Sequence, residues 1–150
     1  AGVPLFVRIV PAGGDDATRA LMTRLSLPRE RAEAIKRELG LTSVGSTEEE
    51  RIAAEVIHEA TSELLTAVRN TLAYFAGVRA GVAFDHLSVA GGATRMRGFA
   101  SALAESTRIS VVPVNPLAGA TAARTLRSKT SDEEMQTWIT AIGLAVGSAA

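Results

Sequence analysis

Apolar side chains at Ile52, Val56, Ala60, Leu64, Val68, Leu72 and Phe75 recur every three or four residues, which predicts one long amphipathic helix over about 47–76. Two overlapping capping boxes, Ser46-x-x-Glu49 and Thr47-x-x-Glu50, stand at its start, and Gly77 and Gly81 mark its end. A helix of about seven turns with one apolar stripe needs a hydrophobic surface to lie against. Ahead of it, Leu5-Phe-Val-Arg-Ile-Val10 is β-branched and apolar with Arg8 as its single charge. That pattern predicts a strand, ended by Pro11-Ala-Gly-Gly14. Asp15 or Asp16 is placed to N-cap a helix over about 16–25, with Ala17, Leu21, Met22 and Leu25 on one side. Pro28 suits the first turn of a second helix, and Gly40 suits its C-terminal cap.

The second half alternates. His86-Leu-Ser-Val-Ala90 predicts a short strand running into Gly91-Gly92, Phe99 to Glu105 a helix, and Ile109 to Val114 a second strand. A loop from Asn115 to Thr130 then leads to a last helix opened by the capping box Ser131-x-x-Glu134. Met135, Trp138, Ile139, Ile142 and Val146 form its apolar stripe and place it in the core, with Gly143-x-x-x-Gly147 allowing close packing on a sheet. Strands alternating with helices predict an α/β class with a partly parallel sheet.

Composition narrows the function classes. With 150 residues, 47% hydrophobic and 21% charged, the chain suffices for one domain with a core. Lys plus Arg and Asp plus Glu each total 16, so the basic excess of a nucleic-acid binder is missing. The absence of cysteine excludes disulfides, thiolate zinc sites and a cysteine nucleophile. The most apolar run, Trp138 to Ala150, falls short of the roughly 20 residues that span a bilayer. The chain opens at Ala1 and is already apolar from Val3 to Val10, so its natural start is expected upstream.

Two places can carry chemistry. Gly91-Gly92-Ala-Thr-Arg-Met-Arg-Gly98 lies at the carboxyl end of a predicted strand and before a helix, where open α/β sheets place ligands. Two glycines there serve equally as a tight turn or as backbone that a flat ligand can approach. Glu33 and Lys36, three apart, leave one helix face either as a solvated ion pair or as partners for ribose and phosphate oxygens. His58 and His86 lack metal-ligand spacing. The runs Glu48-Glu-Glu50 and Asp132-Glu-Glu134 complement helix dipoles rather than form catalytic pairs. Arg124, Arg127 and Lys129 are solvated loop charges.

Read in order, these segments resemble the second half of the PilM family of type IV pilus assembly proteins, within the FtsA/MreB/actin-like superfamily. The resemblance runs through Phe6-Val-Arg-Ile-Val-Pro-Ala-Gly-Gly14, Arg29-Glu-Arg-Ala-Glu-Ala-Ile-Lys36, Leu87-Ser-Val-Ala-Gly-Gly-Ala-Thr-Arg-Met-Arg-Gly-Phe99, Val111-Val-Pro-Val-Asn-Pro116 and Ala141-Ile-Gly-Leu-Ala145. It implies an actin-like (ribonuclease H-like) half with a mixed sheet flanked by helices, incomplete at the N-terminus. Within it, 1–27 and 82–150 would form the sheet subdomain and 28–81 a helical excursion. It implies ATP, with Mg²⁺ in the full-length protein, bound on its adenosine side by Glu33, Lys36, Gly91, Gly92, Ala93, Arg95 and Met96. No catalytic residue and no metal ligand falls on this chain, because the family's phosphate turn and catalytic carboxylates belong to the other half. The implied role is a cytoplasmic ATP-binding scaffold of the pilus inner-membrane platform, not a turnover enzyme. A PilN-like membrane protein would be its partner, docked mainly through the other half, beside other assembly proteins, with a homo-oligomer allowed. Two other readings stay open: an FtsA-like cell-division scaffold, which a C-terminal membrane helix would favour, and a catalytic ATPase or phosphotransferase of the same superfold.

Overall fold

Residues 4–79, 81, 83–115, 117 and 138–147 are described by the computed structural model of the chain. In order they form α1 (Gly14–Leu25), α2 (Arg29–Leu39), α3 (Glu48–Val78), β1 (Leu87–Val89), a 3-10 turn (Gly92–Arg95), α4 (Phe99–Thr107), β2 (Val111–Pro113) and α5 (Ile139–Gly147). The class is α/β but helix-dominated.

Each of the first three helices starts on a local signal. Gly13 is the N-cap of α1, and Asp16 reaches back so that its Oδ2 accepts from the Gly13 N–H at 2.7 Å. Asp16 therefore caps from the third helical position and not, as the sequence suggests, from the N-cap itself. Helix α2 begins after Pro28 and ends at Gly40, whose N–H donates to the Lys36 carbonyl at 3.0 Å. Of the two capping boxes before α3, Thr47 with Glu50 is the one formed. Glu50 N–H donates to Thr47 Oγ1, and Glu50 Oε2 accepts from the N–H groups of both Ser46 and Thr47.

The core joins α1, α2 and α3 to the 3-10 turn and α4. Leu21, Ala32, Ile35, Leu39, Ala53, Ile57, Met96, Phe99 and Leu103 form it. Along α3 the fully buried positions are Ala53, Ala54, Ile57 and Thr61, and the predicted stripe through Ile52, Val56 and Ala60 is only half covered. The period was sufficient to find the helix. The side turned fully inward carries the small Ala53 and Ala54 beside Ile57, while Val56, Leu64 and Val68 of the stripe pack against the core from its edge.

Strands β1 and β2 pair in parallel, Leu87 with Val111, Ser88 with Val112 and Val89 with Pro113, and α4 connects them. This two-stranded parallel sheet replaces the expected mixed one among the described residues. The predicted strand from Leu5 to Val10 is not part of any sheet there. Its apolar side chains favour a pleated, half-buried surface, yet strand pairing needs a partner strand, and among the described residues β1 and β2 pair only with each other. Phe6 packs on Tyr74 and Phe75 of α3 at 5.8 Å each, while Leu5, Val7 and Ile9 stay exposed.

Helix α5 also departs from expectation. Trp138 is 51% exposed and Leu144 is exposed, and a Cβ on Gly143 would meet nothing within 4 Å, so this helix is not packed into the described core. An apolar stripe requires some covering surface but does not choose which, and the described sheet is too small to supply one. The Ser131 capping box, Met135, most of the Asn115–Thr130 loop with Arg124, Arg127 and Lys129, and the Val146 side chain lie outside the described residues.

Candidate functional site

Strand β1 runs out into Gly91, which takes φ +96° and ψ −176°, a backbone conformation open essentially to glycine alone. The Gly91 carbonyl then accepts from both the N–H (3.2 Å) and the Oγ1 (2.7 Å) of Thr94, closing the 3-10 turn. Met96 and Phe99 anchor the far side of that turn in the core. The turn is thereby held rigidly as the floor of a cleft.

Helix α2 forms a wall. The Lys36 ammonium lies 2.6 Å from Glu33 Oε2, 2.8 Å from Thr18 Oγ1 and 3.0 Å from the Gly14 carbonyl oxygen. Its three protons are all committed within the chain, and the residue is 8% exposed. Thr18, fully buried on α1, accepts from Lys36 and donates its single hydroxyl proton to Glu33 Oε2 at 2.8 Å. On the outer side, Arg37 Nε donates to Glu33 Oε1 at 3.2 Å. Arg29 pairs with Asp15, tying α2 to the first turn of α1 a second time.

These groups enclose an open cleft of about 480 Å³ lined by Gly14, Asp15, Arg29, Glu33, Lys36, Arg37, Gly92, Ala93, Arg95 and Met96. Six of the seven residues singled out in the sequence lie on it. Gly91 does not, and acts one step back by setting the turn. Gly92 lines the cleft in ordinary backbone conformation, and a Cβ there would meet nothing within 4 Å. Asp15, Arg29 and Arg37 were missed, although Arg29, Glu33 and Arg37 stand four apart and so share one helix face. Thr18 was missed too. A lone threonine in an amphipathic helix carries no sequence signal of a buried polar contact. The histidines are exposed, and no group of His, Cys, Asp or Glu side chains among the described residues could hold a metal ion.

Partial burial pushes the Glu33 carboxyl up, but the Lys36 ammonium and Thr18 hydroxyl, with Arg37 beyond, outweigh it and bring the pKa down to about 2. Glu33 is therefore a carboxylate, an acceptor only, at any physiological pH. The depressed value makes stability depend on pH in a defined window. The contribution is fully present above the ordinary value of 4.5 and is lost as pH falls from there through about 2. Comparing urea midpoints of the wild type and Glu33→Gln at pH 7 and pH 3 checks this: the difference between them should shrink at the lower pH. A difference that stays constant or grows would mean the carboxylate is not held by this network.

In chemical terms the cleft offers four cationic side chains, two carboxylates and a side-chain-free strip of backbone, within the size range of small-molecule sites of about 300–1,000 Å³. The side-chain-free strip leaves space for a flat group, and the Glu33 carboxylate beside it can accept hydrogen bonds from hydroxyls. Residues 2–149 match the family model of the type IV pilus assembly protein PilM. The chain belongs to that family. Among solved structures it is similar to a chain of a "PilM-PilN type IV pilus biogenesis complex", at 25% identity and a TM-score of 0.77. That match covers 98% of this chain and 40% of the solved one, so the chain spans well under half the length of its solved PilM relative. No curated protein matches. The likeness in fold extends over nearly the whole of this chain. No helix among the described residues is long and apolar enough to cross a membrane.

Proposed function

We propose that this chain contributes the adenosine side of an ATP-binding cleft in a PilM-like scaffold of the type IV pilus inner-membrane platform. The observation that carries the reading is the meeting of Glu33, Lys36, Gly92, Ala93, Arg95 and Met96 around one cleft from segments more than fifty residues apart. The side-chain-free Gly92 leaves room for a base, and the Glu33 carboxylate accepts hydrogen bonds from ribose hydroxyls. Because the Lys36 protons are committed, its part is to hold Glu33 and to lend positive charge. ATP, when bound, would meet this surface with its base and ribose. Its phosphates and Mg²⁺ belong with the other half, and none of the residues described here is assigned to them.

Phosphoryl transfer rests on positioning and charge at the phosphates. The residues gathered here address the other end of a nucleotide, which favours a binding role for this chain over a catalytic one. A PilN-like protein is the partner of the intact protein in this reading, as the solved relative comes from a PilM-PilN complex, and such a partner would hold the protein at the cytoplasmic face of the inner membrane. Calorimetry with ATP and Mg²⁺ on the intact protein, beside a phosphate-release assay, tests the proposal. Saturable, Mg²⁺-dependent binding with slow or no turnover is expected. Absence of binding would sink the nucleotide reading, and rapid release of phosphate would move the protein to the enzymes.

A further inference from the structure

Away from the cleft, α1 and the N-terminal half of α3 leave a second, larger groove between them, about 750 Å³ in volume. Its apolar floor contains Ile52, Val56 and Ala60, the three half-covered positions of the stripe that the sequence pattern would bury. They stand four apart, so they form a ridge repeating at about 5.4 Å, the spacing that an interdigitating helix presents. Along the α3 side run Glu55, Glu59 and Glu63, also four apart, exposed, and in no ion pair among the described residues. On the opposite side Arg19 is taken up by Asp15 and Asp16, which leaves Arg24 as the remaining cation facing the groove.

We propose that this groove docks a basic amphipathic helix of a protein partner. Floor and rim ask for the same thing at the same interval: an apolar side chain every turn, flanked along one edge by Lys or Arg every fourth residue. Three carboxylates of one sign on one wall fix which edge of the partner faces α3, and so its direction. An acidic helix of equal hydrophobicity would bring like charges together over two turns and be rejected. A partner of this kind uses the helix-in-groove mode, with the apolar ridge supplying affinity and the glutamates supplying choice. The site is separate from the nucleotide cleft, and the proposal stands or falls independently of ATP.

The test uses the intact protein and two fluorescein-labelled synthetic helices of about 18 residues with identical Leu faces, one flanked by Lys at every fourth position and the other by Glu. Fluorescence anisotropy should show the Lys peptide bound about tenfold more tightly, with the preference narrowing as salt is raised. The triple variant E55K/E59K/E63K alters only exposed positions and should reverse the preference. Since it gains binding of the Glu peptide, misfolding cannot imitate that result. Ala60→Arg, checked by its melting curve, should weaken both peptides. Equal affinity of the two peptides for the wild type, no binding of either, or a preference unchanged by the triple variant would each overturn the proposal.

Discussion

Replacing Gly92 with valine is expected to abolish ATP binding by the intact protein while leaving its thermal stability almost unchanged. Gly92 has no positive φ, and a Cβ built there meets no atom within 4 Å, so the new side chain projects into the cleft. In that cleft it occupies the strip of backbone on which the base is proposed to lie. A ligand cannot shift away from it without leaving Glu33 as well. Titration with a fluorescent ATP analogue and a melting curve of the same preparation give the two readouts together. Glu33→Ala gives a graded companion: loss of one charge-assisted hydrogen bond should weaken binding by about 1–2 kcal/mol. Wild-type affinity in a well-folded Gly92→Val protein would show that no base lies over the turn.

The same kind of substitution at Gly40 should have the opposite outcome, a large loss of stability whatever the ligand. Gly40 terminates α2 at φ +55°, and a Cβ there would lie 2.5 Å from the Arg97 carbonyl oxygen and 2.7 Å from Arg97 Cβ. Arg97 Cβ and the carbonyl group are fixed to the Arg97 backbone, and that carbonyl accepts the Leu41 N–H at 2.8 Å, so neither side can yield without breaking the contact between the end of α2 and the start of α4. Gly40→Ala is expected to cost about 3 kcal/mol or more, at the upper end of single substitutions. Urea unfolding at constant m-value measures it. A midpoint within experimental error of the wild type would mean that the α2–α4 junction relaxes in a way the described packing does not suggest.

Much of the local structure was legible before any coordinates. The 3.6-residue period and a Thr-x-x-Glu box located α3, Pro28 and Gly40 bounded α2, and paired glycines after an apolar run marked the turn at the end of β1. These features depend on interactions within a few residues, and a single chain carries all the information they need. The spacing of Glu33 and Lys36 likewise established that they share a helix face. Sequence alone could not say that Lys36 would turn inward, because its partners Thr18 and Gly14 lie 18 and 22 residues away on another helix. Nor could periodicity say that Ala53 and Ile57 would be buried outright while Val56 packs against the core only from its edge, since a rotation of one residue satisfies the same pattern equally well. The Leu5–Val10 segment and α5 mark the other side of this limit. Both have the composition of buried elements, and both remain largely exposed among the described residues, because β-propensity and an apolar stripe state a demand for a neighbour without providing one. Tertiary structure decided which demands were met: it buried Thr18 beneath the Glu33–Lys36 pair, brought α2 against the Gly92 turn, and left a groove beside Glu55, Glu59 and Glu63 uncovered among the described residues.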